Sequence, residues 1–134
     1  EWARALNSQG ADVIFAVAGN TGNGVFAAAK EKGFYVIGVD QDQKLSAPEY
    51  DEQIICSMKK EVGTSVYDTV KALIEDDTWD GGRIWTADMS SGYISIAYGD
   101  ENSTQQVSDD LKKATDDIQN KIVAGEITVS TARK

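Results

Sequence analysis

Two apolar runs that do not alternate with polar residues constrain this chain more than anything else in it. Residues 12–18 read DVIFAVA and residues 34–39 read FYVIGV. A strand with one face in water alternates apolar and polar side chains, whereas an unbroken run suits a parallel sheet covered on both faces. The stretch between the runs agrees, because residues 21–32 are helical and stop at Gly33, a residue that readily takes the left-handed C′ position. Strand, helix and strand within this span make a βαβ crossover.

The rest of the chain extends the pattern. Residues 1–9 place Trp2, Ala5, Leu6 and Gln9 on one helical face, and Gly10 ends that helix. A polar loop with the single proline, Pro48, leads to a strand at 53–58 (QIICSM). Val62, Val66, Val70 and Leu73, at spacings of 4, 4 and 3, predict a helix. DDTWDGG is a turn, and RIWTA (83–87) and YISIAY (93–98) read as short strands around a Ser-Ser-Gly turn. Val107, Leu111, Ala114, Ile118 and Ile122 define a long amphipathic helix, with a capping box from Ser103 and Gln106 and a stop at Gly125. ITVST (127–131) reads as a closing strand. The expected class is therefore α/β: a three-layer sandwich with a mainly parallel sheet. The 134 residues suffice for one domain with a real core. Because the chain opens inside a helix with no strand before it, it reads as a piece of something longer.

Composition narrows the function. The chain is 41% hydrophobic and 26% charged, as expected of a soluble globular protein. No apolar run approaches the ~20 residues of a membrane span, and residue 1 opens directly into amphipathic sequence rather than a signal peptide. A formal charge of −9 argues against nucleic acid, since no basic stripe exists to displace counterions. The single cysteine, Cys56, lies in an apolar run and reads as a small buried hydrophobe. The chain has no histidine, which removes the usual zinc sites, Ser-His-Asp triads and an activated cysteine. No catalytic set, metal or cofactor is expected.

The glycine-rich turn admits two readings. Gly22, Gly24 and Ala27 spell G-x-G-x-x-A between a strand and a helix, and Asp40 ends the next strand 18 residues after Gly22. That is the layout of a dinucleotide fold, in which the helix N-terminus holds pyrophosphate and the acid takes the ribose hydroxyls. Against it, Gly19 to Gly22 lengthen the turn, and a helix precedes the strand. The other reading is a binding protein. In doubly wound sheets ligands sit beyond the carboxyl ends of the strands, and Gly19, Asp40 and Lys60 lie at three such ends. A carboxylate can accept from two vicinal hydroxyls, an ammonium can donate to an oxygen of the same sugar, and the glycine lets a ligand approach the backbone.

GADVIFAVAGNTGNGVFAAAKEKGFYVIGVDQDQ, followed by IICSMKKEVGTSVYDTV, resembles the carboxyl-terminal half of the basic membrane protein family. These are bacterial ABC-transporter substrate-binding lipoproteins, among them a purine-nucleoside receptor. The resemblance runs from residue 1 to about residue 125 and is carried by ADVIF-x-x-AG-x-TG-x-GVF-x-AAK and IGVD-x-DQ. It implies a type I periplasmic-binding-protein clamshell. Residues 1–134 would form its carboxyl-terminal lobe with crossing segments, and the amino-terminal lobe would be absent. It implies that Asp40 and Lys60, the latter in the S-x-x-K block beginning at Ser57, bind ribose hydroxyls, that Gly19 lines the pocket and that Phe15 stacks on the base. The sequence departs from the family pattern at Asn20, where a second glycine is common. The implied partners are a purine nucleoside and ABC permease subunits. The implied location is the cell envelope, outside the cytoplasm, through a lipid anchor on the missing amino-terminal part.

Three functions are weighed: a solute-binding component of an ABC importer, the ligand-sensing domain of a transcription regulator on the same clamshell, and an NAD-binding dehydrogenase domain. An upstream helix-turn-helix would mark the regulator, and a signal peptide with a lipidated cysteine the importer component.

Overall fold

The computed structural model describes residues 1–79 and 81–130. It separates into two compact units, 1–60 with 95–107 and 61–94 with 108–134. The chain thus passes between units three times, after residues 60, 94 and 107.

The first unit holds α1 (Trp2–Ser8), β1 (Val13–Phe15), a 3₁₀ turn (Gly19–Gly22), α2 (Asn23–Lys32), β2 (Tyr35–Asp40), the short helix α3 (Gln43–Ser46), a second 3₁₀ turn (Pro48–Tyr50) and β3 (Ile54–Lys60). A fourth strand, β4 (Ile94–Ala97), completes a sheet of order β1-β2-β3-β4. β1 runs parallel to β2 and β2 parallel to β3, so the fold is α/β with a mainly parallel sheet. The β2–β3 register slips by one residue between Val36 and Ile37, a bulge that sets Gly38 opposite Ser57 and Asp40 opposite Lys59. One face of the sheet supplies Val36 and Ile54, which close a core with Phe26, Ala28 and Ala29 of α2, Phe34, Ala16 and Ala3 of α1. Arg4 on α1 joins Glu31 on α2 through Nε at 2.9 Å and Nη2 at 2.5 Å. The hydrogen bond from Arg4, helped by one from Lys32, holds the Glu31 carboxyl down to about 2.

The structure trims the predicted strands. Only 13–15 of residues 12–18 are strand, because Val17 and Ala18 turn their N–H groups back to the carbonyls of Phe15 and Ala16. The predicted strands at 34–39 and 53–58 form as Tyr35–Asp40 and Ile54–Lys60. The apolar runs suggested cover on both faces; Val13, Phe15 and Tyr35 are 41%, 50% and 45% exposed, so the face they share is open at that end of the sheet, while Val39 on the same face of β2 is 4% exposed. The helix predicted over 21–32 begins at Asn23 and ends, as expected, at Gly33, whose φ is 76°.

The second unit holds α4 (Val62–Glu75) and α5 (Asp109–Val123). Both helices fall where the apolar periodicity put them. Their stripes lie open: Val66 on α4 and Leu111 on α5 are 58% and 60% exposed. The capping box at Ser103 and Gln106 does not form. Ser108 caps α5 instead, its Oγ accepting from Leu111 N, while Ser103 pairs with Asp100 and Gln106 serves elsewhere. Gly125, with φ 77°, follows the end of α5 as expected. The predicted strand 83–87 is irregular and pairs with no strand among the described residues; Ile84 is 99% exposed. Residues 127–130 are likewise irregular. Thr131 of that predicted strand, and Asp80 of the predicted turn, lie outside the described residues. Among the described residues no helix is long and apolar enough to cross a membrane.

Candidate ligand-binding site

Parallel strands bring their carboxyl ends to one edge of the sheet, so Phe15, Asp40 and Lys60, the last residues of β1, β2 and β3, share that edge. The structure brings two of the predicted residues into direct contact. Lys60 Nζ lies 2.9 Å from Asp40 Oδ1. The two side chains are 46% and 54% exposed, and an ion pair so wetted contributes only about 0–1 kcal/mol to stability. Its worth is therefore chemical. A carboxylate acceptor and an ammonium donor stand side by side at a strand end, and a polyhydroxylated ligand can redirect both at little cost.

Asp40 adopts φ 71°, the left-handed region, which is uncommon outside glycine and enriched in aspartate. Phe15 sits opposite Ile37 in the sheet, three residues before Asp40, and its ring is half exposed. Gly19 opens the 3₁₀ turn after β1 at φ 52°, with open space where a Cβ would stand. Phe15 and Gly19 thus lie at the strand-end edge near the Asp40–Lys60 pair, the first half exposed and the second with open space beside its Cα.

The dinucleotide reading fares less well. A full 3₁₀ turn separates β1 from α2, so the strand does not run directly into the helix as pyrophosphate binding needs. Gly22 is buried, and a Cβ there would lie 3.5 Å from the Ala16 carbonyl oxygen, so its surroundings are protein backbone. Burial pushes the Cys56 thiol up, away from the reactive thiolate. Among the described residues no group of three or more His, Cys, Asp or Glu side chains could hold a metal ion.

Sequence reasoning missed the residues that brace this edge. Lys44 is 2% exposed. Its Nζ donates to Asp51 O at 2.9 Å, Asp51 Oδ1 at 3.0 Å, Thr104 O at 2.7 Å and Gln106 Oε1 at 2.8 Å. Asp42 caps α3 by accepting from Lys44 N at 3.2 Å, and its other oxygen accepts from Gly99 N at 2.9 Å. These bonds tie the loop after Asp40 to the returning segment 98–106. The signal was present in IGVD-x-DQ, whose last two residues are Asp42 and Gln43, but a lysine in a polar loop reads as solvated until its partners are seen.

Comparison with known proteins follows the same direction. Residues 1–133 match the family model described as ABC transporter substrate-binding protein PnrA-like. The chain is 37% identical over 119 residues to basic membrane protein C of Borreliella burgdorferi strain N40, covering 87% of this chain and 32% of that protein. It is 33% identical over 141 residues to the ABC transporter nucleoside-binding protein BmpA of Lactococcus lactis subsp. cremoris, covering 95% of this chain and 38% of that protein. The chain therefore spans about a third of the length of these curated relatives. Among solved structures, a transcriptional activator of the comK gene from Bacillus halodurans matches at TM-score 0.75 and 18% identity, covering 95% of this chain and 42% of the other. A solute-binding protein of an ABC transporter system from Conexibacter woesei matches at TM-score 0.68 and 20% identity, covering 96% and 40%. Those two likenesses show the fold, a periplasmic-binding-protein-like α/β arrangement that serves both a regulator and a transporter.

Proposed function

Because this chain belongs to the PnrA-like family of ABC-transporter substrate-binding proteins, we propose that it forms the carboxyl-terminal lobe, with crossing segments, of a clamshell that captures a purine nucleoside for an importer. The observation that carries the reading is the Asp40–Lys60 pair at the carboxyl ends of adjacent parallel strands. In this reading the carboxylate accepts from the two vicinal ribose hydroxyls and the ammonium donates to an oxygen of the same sugar. Phe15 offers a ring face to the base and Gly19 admits the ligand to the backbone. No bond is made or broken: the chain binds and releases, and is not an enzyme.

The amino-terminal lobe lies outside this chain and supplies the other wall of the cleft. The length of the relatives and the open apolar stripes of α4 and α5 support this reading. Closure of the two lobes excludes water from the ligand. Permease subunits receive the loaded protein at the outer face of the cell membrane, where a lipid anchor on the amino-terminal part holds it.

Calorimetry of the full-length protein with inosine, guanosine, adenosine and NAD tests this. The expected result is micromolar or tighter binding of at least one purine nucleoside and none of NAD. NAD binding without nucleoside binding would replace this reading with the dehydrogenase one.

A further inference from the structure

The proposed ligand contacts leave one feature of the strand-end edge without a role. Asp40 holds φ 71° although it is not glycine, and a non-glycine residue stays there only where its surroundings fix the backbone. The fixing atoms are identifiable. Gln43 Oε1 accepts from Val39 N at 2.8 Å, the residue immediately before Asp40. Gln43 N donates in turn to Ser57 Oγ at 3.1 Å, on the neighbouring strand. Ser57 is fully buried, and the one-residue register slip between β2 and β3 is what sets it opposite Gly38. Gly38 makes room: a Cβ there would lie 2.6 Å from both Gln43 Oε1 and Ser57 Oγ. On the far side, Gln41 N donates to Val39 O at 2.9 Å, closing a tight turn with Asp40 at its centre.

We propose that Gln43, seated over Gly38 and tied to Ser57, is a positioning residue for Asp40. Its amide carbonyl holds the Gly38–Val39 peptide, one residue ahead of the turn that Gln41 N closes on Val39 O, keeps Asp40 in the left-handed region and so holds the carboxylate against Lys60, aimed at the ligand's hydroxyls. This inference rests on the reading of Asp40 as the residue that takes the ribose hydroxyls. It gives Gln43, Gly38 and Ser57 one shared task. Without the lock, Asp40 relaxes to an ordinary extended conformation and its carboxylate swings away. A ligand that uses no hydroxyl contact to Asp40 does not register the difference.

The test measures the affinity of the full-length protein for inosine and for 2′,3′-dideoxyinosine, which lacks both vicinal hydroxyls. Gln43→Met keeps the size of the side chain and removes the acceptor; Gln43→Glu keeps the acceptor. Gln43→Met is expected to weaken inosine about tenfold, the equivalent of one good hydrogen bond, and to leave dideoxyinosine unchanged. Gln43→Glu is expected to recover most of the loss, and Gln43→Met added to Asp40→Ala to weaken inosine no further. Should Gln43→Met fail to fold, Ser57→Ala, which removes the acceptor for Gln43 N, carries the same comparison. Wild-type affinity in Gln43→Met, beside a weakened Asp40→Ala, would overturn the proposal and leave the site reading standing. Equal losses for both ligands, or losses additive with Asp40→Ala, would also overturn it, since those mark general packing. An Asp40→Ala protein that binds inosine normally would instead remove the site reading on which the proposal depends.

Discussion

At the residue scale, Asp40 and Lys60 were legible because charge at the end of an apolar strand is conspicuous and because parallel strands must bring such ends together. Their contact at 2.9 Å follows from topology the apolar runs already imply. Lys44 and Gln43 were not legible. Each lies in a polar loop where a solvated side chain is the ordinary expectation, and what makes them structural is a partner far away in sequence: Thr104 for Lys44, Ser57 for Gln43. No local pattern encodes such a pairing. Lys60→Ala should weaken nucleoside binding in the full-length protein by about 1 kcal/mol, less than loss of Asp40, because a water molecule can donate where the ammonium did. Calorimetry on the folded variant checks it, and a loss larger than that of Asp40→Ala would reverse the ranking of the two.

At the element scale, apolar periodicity placed α4 and α5, and apolar runs with their glycine and polar stops placed α2 and the strands β2, β3 and β4, to within a few residues. These signals failed where an element needs a neighbour to exist. RIWTA has strand composition, but no strand pairs with it among the described residues, and it stays irregular. The start of α5 moved from a plausible capping box to Ser108 because Gln106 is drawn to Lys44 and the backbone of residues 51 and 52. The Lys44 junction is correspondingly expensive to break. Burial pushes the Asp51 carboxyl up, but the hydrogen bonds from Thr104 and the Lys44 ammonium outweigh it and hold the group below its ordinary value. Lys44→Ala would leave that carboxylate and three carbonyl oxygens, those of Asp51, Thr104 and the Gln106 side chain, short of a donor, and should cost roughly 3–5 kcal/mol, read as a large fall in the thermal midpoint.

The α1–α2 junction carries a pH signature. Glu31 is held at about 2, against 4.5 unperturbed, so its folded pKa is depressed. The stability it contributes is complete above pH 4.5 and is lost as the pH falls toward 2. Glu31→Gln should therefore lower the melting temperature at pH 6, and the difference should shrink steadily as the pH falls from 4.5 to about 2. Because both side chains are nearly half exposed, salt should shrink the effect at pH 6.

At the scale of the whole molecule, the fold class and family were legible because two long motifs span the strand-turn-helix-strand core. The division into two units, with three passes between them, was not, since nothing in the composition changes at residues 60, 94 or 107. The central claim is that Asp40 reads the sugar of a captured nucleoside. Its most direct test is inosine calorimetry of the full-length protein beside its Asp40→Ala variant, with both shown to be folded by circular dichroism. The predicted result is clear binding by the wild type and a loss of roughly 1–3 kcal/mol in the variant, the cost of leaving buried hydroxyls without their acceptor. An Asp40→Ala protein that binds inosine as tightly as the wild type would contradict it.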